Sequence, residues 1–271
     1  MYAITRNPDR FADFESDGLV PVLGDITDPD SLKSMKEICR RNPQDTVLFA
    51  VGFDRSRYES IRDVYVTGLS NLLGQLPASI GQLIYISSTG VYGQSNGESV
   101  DEQSETQPNR PGGIACLEAE ELLRSSAVAD RVTILRFAGI YGPGRVPGQR
   151  FIQQGEWSRL SNLGSLNLIH VSDGVRVIRS ASDPQRHCAA LDQTFVVCDG
   201  SPVSRRAYYD FVAQTMMAGP IPWDSIDDSA SQTRSTGLGK QLSNNKLLAN
   251  LSVVFQFPDY LAGIPQALSR E

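Results

Sequence analysis

The sequence predicts an α/β fold, a doubly wound parallel sheet with a smaller lobe towards its carboxyl-terminal end. Two observations carry this. Through residue 141, short apolar runs alternate with segments of helical periodicity, the pattern of strand–helix–strand units. The runs at residues 46–51 (TVLFAV) and 83–87 (LIYIS) are nearly all apolar, as strands covered by helices on both faces must be.

Residues 1–5 (MYAIT) read as a first strand that ends in a polar turn and leads to a helix over 11–15. Residues 20–23 form the next strand, with 24–28 (GDITD) as its exit turn. A helix over 31–40 follows, with Pro29 ahead of it and Leu32, Met35 and Ile38 on one face. The strand at 46–51, a helix over 58–76, the strand at 83–87 and a Leu/Glu/Ala-rich helix over 115–125 continue the alternation. Residues 132–137 and 194–198 are further strands, the last returning to the sheet from the second lobe. From residue 142 onward Gly and Pro clusters break the pattern; helices are predicted at 174–180 and 204–217, and a Ser/Asp/Thr-rich loop at 224–239.

Composition narrows the function. A net charge of -6 over 271 residues disfavours nucleic acid or an anionic membrane as a main partner, since both require clustered Lys and Arg. No apolar run reaches the ~20 residues of a membrane-spanning helix and residues 1–20 lack a secretory pattern, so a cytoplasmic location is the expectation. Cys39, Cys116, Cys188 and Cys198 form no CxxC pair and the two histidines are His170 and His187, so no metal centre is expected.

In a doubly wound sheet the ligand lies across the carboxyl ends of the strands, which makes the residues just after each strand the candidates. Arg6 follows the first strand, where an acidic residue binds a ribose 2′-hydroxyl and an arginine accepts a 2′-phosphate; this favours NADP over NAD. Arg6 reads equally as a solvated turn residue. Asp25 and Ile26 after the second strand suit an adenine edge, or an Asx-type turn with Gly24 and Thr27. Ala50, Val51 and Gly52 after the third admit close backbone approach to a ligand, or form a tight turn.

Five segments in order add a resemblance: GDITD (24–28), YVTGLSNLL (65–73), YISSTGVYG (85–93), LRFAGIYGPGR (135–145) and IHVSD (169–173). Together they resemble the successive signatures of extended short-chain dehydrogenases/reductases, the NAD(P)-dependent epimerase/dehydratase family. The resemblance implies a Rossmann-like nucleotide-binding domain over residues 1–141 and a mainly substrate-binding lobe over 142–271. By it, Ser88 orients the substrate oxygen, Ser87 lies beside the nicotinamide, and Gly139 and Ile140 line the nicotinamide pocket; Ser88 also reads as a hydroxyl that caps the strand end. It also implies a nucleotide-sugar-like or other polar small-molecule substrate and a helix-mediated homodimer. His170 is expected to be buried and structural, and Tyr92 and Tyr141 to anchor loops.

Two departures qualify the resemblance. The family's catalytic tyrosine and the lysine four residues on fall here at Gly112 and Cys116, neither of which supplies a phenol or a cation; the nearby Glu118 and Glu120 read as solvated helix carboxylates, with a role as bases the alternative. The family's opening strand and Gly-x-Gly-x-x-Gly turn have no counterpart ahead of residues 1–5, so the first βα unit is expected to be missing, as in a truncated gene product. That strand belongs between residues 1–5 and 46–51, leaving their facing edges unpaired or forced together. The functional expectation is an epimerase or oxidoreductase of this family, with a non-catalytic NADP(H)-binding protein or a scaffold as the alternatives.

Overall fold

A computed structural model of the chain describes residues 1–42, 46–54, 60–183, 187–225 and 237–269. The strands are β1 (Tyr2–Thr5), β2 (Val20–Leu23), β3 (Thr46–Phe49), β4 (Gln82–Ser88), β5 (Asn96–Val100), β6 (Val132–Phe137), β7 (Gly139–Tyr141), β8 (Ser165–Leu166), β9 (Leu168–His170), β10 (Gln193–Val197), β11 (Val203–Ser204) and β12 (Gly239–Leu242). The helices are α1 (Phe11–Ser16), α2 (Lys33–Arg41), α3 (Gly68–Leu73), α4 (Pro111–Arg124), α5 (Gln149–Gln154), α6 (Val171–Ala181), α7 (His187–Ala190), α8 (Arg205–Thr215), α9 (Asn245–Leu251) and α10 (Tyr260–Leu268).

Strands β3, β4, β6 and β10 form a four-stranded parallel sheet in the order β10-β6-β4-β3. Side chains alternate across it with period two. Leu83 and Tyr85 pack with Met35, Leu69, Leu72, Ala119 and Leu123 of α2, α3 and α4 on one face, whereas Ile84 packs with Val177, Ala181, Leu247 and Leu251 of α6 and α9 on the other. Helices on both faces make this a doubly wound fold, and β4 is buried along most of its length for that reason. A second core of Tyr141, Ile152, Leu160, Tyr208, Val212, Trp223 and Ile264 holds the remaining lobe.

The short parallel pair β1–β2 stands apart: among the described residues β1 pairs only with β2, and β3 only with β4. The pair is still fastened to the rest of the molecule. Asn71 Nδ2 donates to the Ile26 carbonyl at 3.0 Å, a Cβ at Gly68 would lie 2.8 Å from Ile26 Cγ1, and Arg6 pairs with Asp54 at 3.3 Å.

Most predicted helices appear with shifted ends. The one at 58–76 occupies 61–73 and contains a π-helical stretch, Asp63–Thr67; Tyr58 and Glu59 lie outside the described residues, as does most of the 224–239 loop. The parallel pair β5–β12 joins segments about 140 residues apart, which no local periodicity reveals.

Asp199, two residues after the end of β10, is 8% exposed, and its Oδ2 has no hydrogen-bond partner among the described residues; Oδ1 accepts from Ser201 N at 2.9 Å. Burial first, then the charges of Asp259 and Asp173, push its carboxyl up to about 7. A folded pKa above the unfolded value (~3.9) means the native state binds the extra proton, so the stabilisation is complete below pH ~4 and is lost as pH rises through about 7. Asp199→Asn is therefore expected to gain on the wild type as pH rises from 4 to 7, by on the order of 3 kcal/mol in urea unfolding. Parallel pH profiles for the two proteins rule this out.

Candidate active site

The carboxyl ends of β4 and β6, where Ser88 stands in register with Phe137, meet the amino-terminal end of α4 at Gly90 and Gly113. The local reason is close packing of backbone on backbone. Gly90, in the 3-10 turn Thr89–Val91 that follows β4, touches Gly113 at the start of α4, and a Cβ at Gly113 would run into the Gly90 carbonyl oxygen. Pro111 at the first turn of α4 has no N–H to satisfy there, so the helix starts without a side-chain cap.

Ser88 caps that turn: its Oγ accepts from Gly90 N at 3.0 Å, which leaves the hydroxyl proton available to a ligand oxygen. Ser87 points the other way. It is 4% exposed and donates to Glu120 Oε1 at 2.7 Å, inside the molecule. Gly112 sits 3.5 Å (from its would-be Cβ) from Ile61 Cδ1, and Cys116 is buried between α4 and β4, where burial foremost raises its thiol pKa. Neither offers a phenol or an ammonium.

Glu120 overturns its reading as a solvated carboxylate. It is fully buried and grips Arg136 of β6 with both oxygens, at 2.9 Å from Nε and 2.6 Å from Nη2, while Arg124 reaches Oε2 at 2.9 Å. Arg136 passes Nη1 on to the Tyr92 hydroxyl at 2.7 Å and lies 4.9 Å from that ring's centroid. Burial pushes the Glu120 carboxyl up, but the Arg136 hydrogen bonds and charge, the Ser87 hydroxyl and Arg124 outweigh it and hold the pKa below the ordinary carboxylate value. The signal lay in the sequence: Gly113, Cys116, Glu120 and Leu123 share one helical stripe, and Arg136 interrupts an apolar strand. Glu118, off that stripe, pairs with Arg62 at 2.6 Å on the surface.

Tyr65 was also missed. It lies in the π-helical stretch, half-buried against the cluster that holds Cys116. Burial and then Cys116 raise its phenol pKa, against a hydrogen bond with the Phe53 backbone in the turn after β3. A π-turn at a cleft often marks function.

The remaining candidates divide. Asp25 forms the Asx-type turn, with Oδ1 accepting from Thr27 N at 2.9 Å and Thr27 Oγ1 at 2.8 Å, and Ile26 is wedged against Gly68. Arg6 is in an ion pair with Asp54. Ala50, Val51 and Gly52 are exposed at the end of β3, and nothing stands within 4 Å of a Cβ at Gly52. Gly139 and Ile140 lie in β7, which pairs with β9; Ile140 packs on the sheet core. Arg145 closes a turn with Gly142. His170 is fully buried, accepts from Ser172 N on Nδ1 at 3.2 Å and meets Gln266 Oε1 through Nε2 at 3.0 Å. Tyr141 donates to the Asp259 carbonyl at 3.2 Å. Both are buried and hydrogen-bonded. Among the described residues no group of three or more His, Cys, Asp or Glu side chains is arranged to hold a metal, and no helix is long and apolar enough to cross a membrane.

A doubly wound parallel sheet with a hydroxyl-bearing Ser-Ser-Thr-Gly turn at the carboxyl end of a central strand defines the class of nucleotide-type α/β proteins. The chain belongs to the NAD dependent epimerase/dehydratase family, whose model matches residues 1–184. It is 27% identical over 200 residues to Protein YeeZ of Escherichia coli K12, covering 73% of this chain and 67% of that protein. A solved candidate epimerase/dehydratase from Methylobacillus flagellatus is 29% identical with a TM-score of 0.69, over 91% of this chain and 82% of its own. Two more distant structures share the fold. RMD from Pseudomonas aeruginosa, solved with NADPH, aligns at 20% identity and TM-score 0.72 over 92% of this chain and 88% of its own. A short-chain dehydrogenase/reductase superfamily protein from Agrobacterium tumefaciens, solved with NAD, aligns at 19% and 0.74 over 98% and 88%.

Proposed function

We propose that the protein binds a nicotinamide cofactor along the carboxyl edge of its sheet and acts on a polar metabolite, nucleotide-sugar-like in character, through the Ser88 hydroxyl. The observation that carries this is the Ser88–Gly90 turn, held open to the cleft by the Gly90–Gly113 contact. The residues fit the two ends of such a cofactor: Ser88, Gly139 and Ile140 on the nicotinamide side, Asp25, Ile26 and Arg6 on the adenosine side. The pyrophosphate has no glycine-rich turn to receive it among the described residues, so binding by these 271 residues is weak. When bound, the cofactor supplies hydride exchange at the substrate carbon.

Ser88 donates its hydroxyl proton to the substrate oxygen and orients it. Tyr65, which interacts with Cys116 of α4, is assigned the proton-transfer role that Gly112 cannot fill, as a proton donor at neutral pH because burial raises its pKa. The absence of a cation at Cys116 limits the rate. NADP is the preferred form because Arg6 follows β1, with Asp54 as its competitor for a 2′-phosphate.

Thermal unfolding with NADPH and with NADH tests the cofactor, since a ligand of the native state must raise the midpoint. The expected result is a rise with NADPH exceeding that with NADH; no rise with either sinks the reading. Ser88→Ala and Tyr65→Phe are each expected to lower turnover by about 10²-fold or more while leaving the cofactor-induced rise intact. Cofactor-induced stabilisation with turnover unchanged in both variants, or absent from the wild type, identifies a binding protein without chemistry.

A further inference from the structure

We propose that Lys240 and Arg110 bind an oxyanion, a carboxylate or phosphate that the substrate carries a few bonds from the oxygen oriented by Ser88. The inference rests on the functional reading for what the anion belongs to. The site itself stands on the contact between the second lobe and the turn that follows Ser88.

Lys240 reaches that turn from β12. Its Nζ donates to the Tyr92 carbonyl and lies 5.7 Å from the centroid of the Tyr92 ring. The strand that carries it is held by the ladder with β5 and by Asn167, whose Nδ2 donates to the Lys240 carbonyl at 2.8 Å while its Oδ1 accepts from Leu242 N at 2.8 Å. Tyr92 closes the 3-10 turn after β4, its N donating to Thr89 O at 3.2 Å, and Arg136 fixes its hydroxyl. Such a turn advances about 2 Å per residue, so the ammonium stands on the order of 10 Å from Ser88.

The charge at this point is uncompensated. A half-buried ammonium is stable beside an acceptor that is itself charged, and its three protons can serve several. Lys240 has a neutral carbonyl and, among the described residues, no carboxylate in an ion pair with it. The acids of the adjoining segments are turned elsewhere: Glu98 of β5 accepts from Asn96 N at 2.7 Å, Glu102 from Val196 N at 2.7 Å and Glu105 from Gln107 Nε2 at 2.6 Å. A second cation faces Lys240 instead. Arg110, exposed at the residue ahead of α4, adds its repulsion to burial, and together they hold the Lys240 ammonium down to about 8. In a chain whose net charge is -6, two cations set together with no acid paired to Lys240 make a local positive field that suits an anion.

The position selects which anion. Arg110 stands two residues ahead of Gly112, which carries no side chain, and a Cβ there would meet only Ile61 Cδ1, at 3.5 Å. The start of α4 thus leaves room beside the Ser88 turn. A separation on the order of 10 Å from Ser88 fits a substrate whose charge is a few bonds from its reacting hydroxyl. The chemical class is a hydroxy acid, a sugar acid or a sugar phosphate, with the acidic group on the end that reacts.

The test reads Lys240 directly. Lys33, Lys36, Lys240 and Lys246 are the lysines of the chain, so the full-length protein labelled with carbon-13 at lysine Cε gives few signals, and the one lost in Lys240→Arg is assigned to Lys240. Its titration is followed by NMR in inorganic phosphate, in acetate and in chloride at matched ionic strength, without cofactor. An anion that prefers the ammonium form must raise the titration midpoint, and by the same coupling its own affinity falls as pH rises past that midpoint. The expected result is a rise of about half a pH unit or more with phosphate or with acetate, whichever matches the substrate's group, no comparable move at Lys246, and a rise at least halved in Arg110→Gln. No rise with either anion, an equal rise in chloride or at Lys246, or an unaltered rise in Arg110→Gln overturns the proposal. The two readings fail separately: NADPH-induced stabilisation without the rise removes this proposal alone, whereas the rise without NADPH-induced stabilisation upholds the anion site and removes the owner assigned to its anion.

Discussion

Glu120→Ala is expected to destabilise the protein by about 3–5 kcal/mol, one of the largest effects available from a single side chain here. The Arg136 guanidinium is 4% exposed, and with the carboxylate gone its charge stays buried with the Tyr92 hydroxyl as its remaining hydrogen-bond partner among the described residues. Ser87 loses its acceptor in the same step. The gain from the pair itself is smaller than the cost of breaking it, because both charges gave up water on folding. The double change Glu120→Leu with Arg136→Met is therefore expected to recover most of the loss, the apolar pair being close to neutral against the ionic one. Urea unfolding of the two variants checks both statements; a double variant no more stable than the single one refutes the account.

The same network has a pH signature. The Glu120 carboxyl is held below its ordinary value, so its contribution is fully present above the unfolded pKa of ~4.3 and is lost as pH falls through the depressed folded value. Asp199 has the opposite sign, and its loss occurs as pH rises from 4 to about 7. The wild type is thus squeezed between an acid limb set in part by Glu120 and a decline towards neutrality set in part by Asp199.

What the sequence made legible follows from where information is local. Apolar runs at 83–87 and 132–137 lie where strands buried on both faces form, whereas the run at 46–51 gives the shorter strand Thr46–Phe49, which is not covered on both faces: Leu48 is 46% exposed. The Ser88 turn and the buried His170 were equally readable, each from a short motif whose backbone and side chain satisfy each other. Glu120 was misread because average burial was applied to a residue whose helical position, in step with Gly113, Cys116 and Leu123, had already assigned it to the core. Its partner stands sixteen residues on in a strand, and only the packing of α4 on β6 joins them. Asp199 and the β5–β12 pair were hidden for the same reason: their environments are made by segments distant in sequence.

Gly113→Ala and Gly112→Ala, the same change at adjacent positions of α4, are expected to act in opposite directions. In a solvated helix interior alanine is favoured over glycine by about 1 kcal/mol. At Gly112 the new Cβ meets only Ile61 Cδ1 at 3.5 Å, an ordinary contact, so that preference prevails and stability rises by up to ~1 kcal/mol. At Gly113 the Cβ overlaps the Gly90 carbonyl oxygen and comes to 3.0 Å of Pro108 Cβ, and neither neighbour is a flexible side-chain end that can swing aside. α4 must back away from the turn after β4, at a cost of roughly 1–3 kcal/mol or more that exceeds the helical gain. The displacement falls on Ser88, whose Oγ is fixed by Gly90 N, so Gly113→Ala is also expected to abolish turnover on any substrate the wild type accepts. Unfolding midpoints of the two variants decide it: shifts of the same sign mean that the Gly90–Gly113 contact does not set the position of α4, and the shape assigned to the Ser88 cleft falls with it.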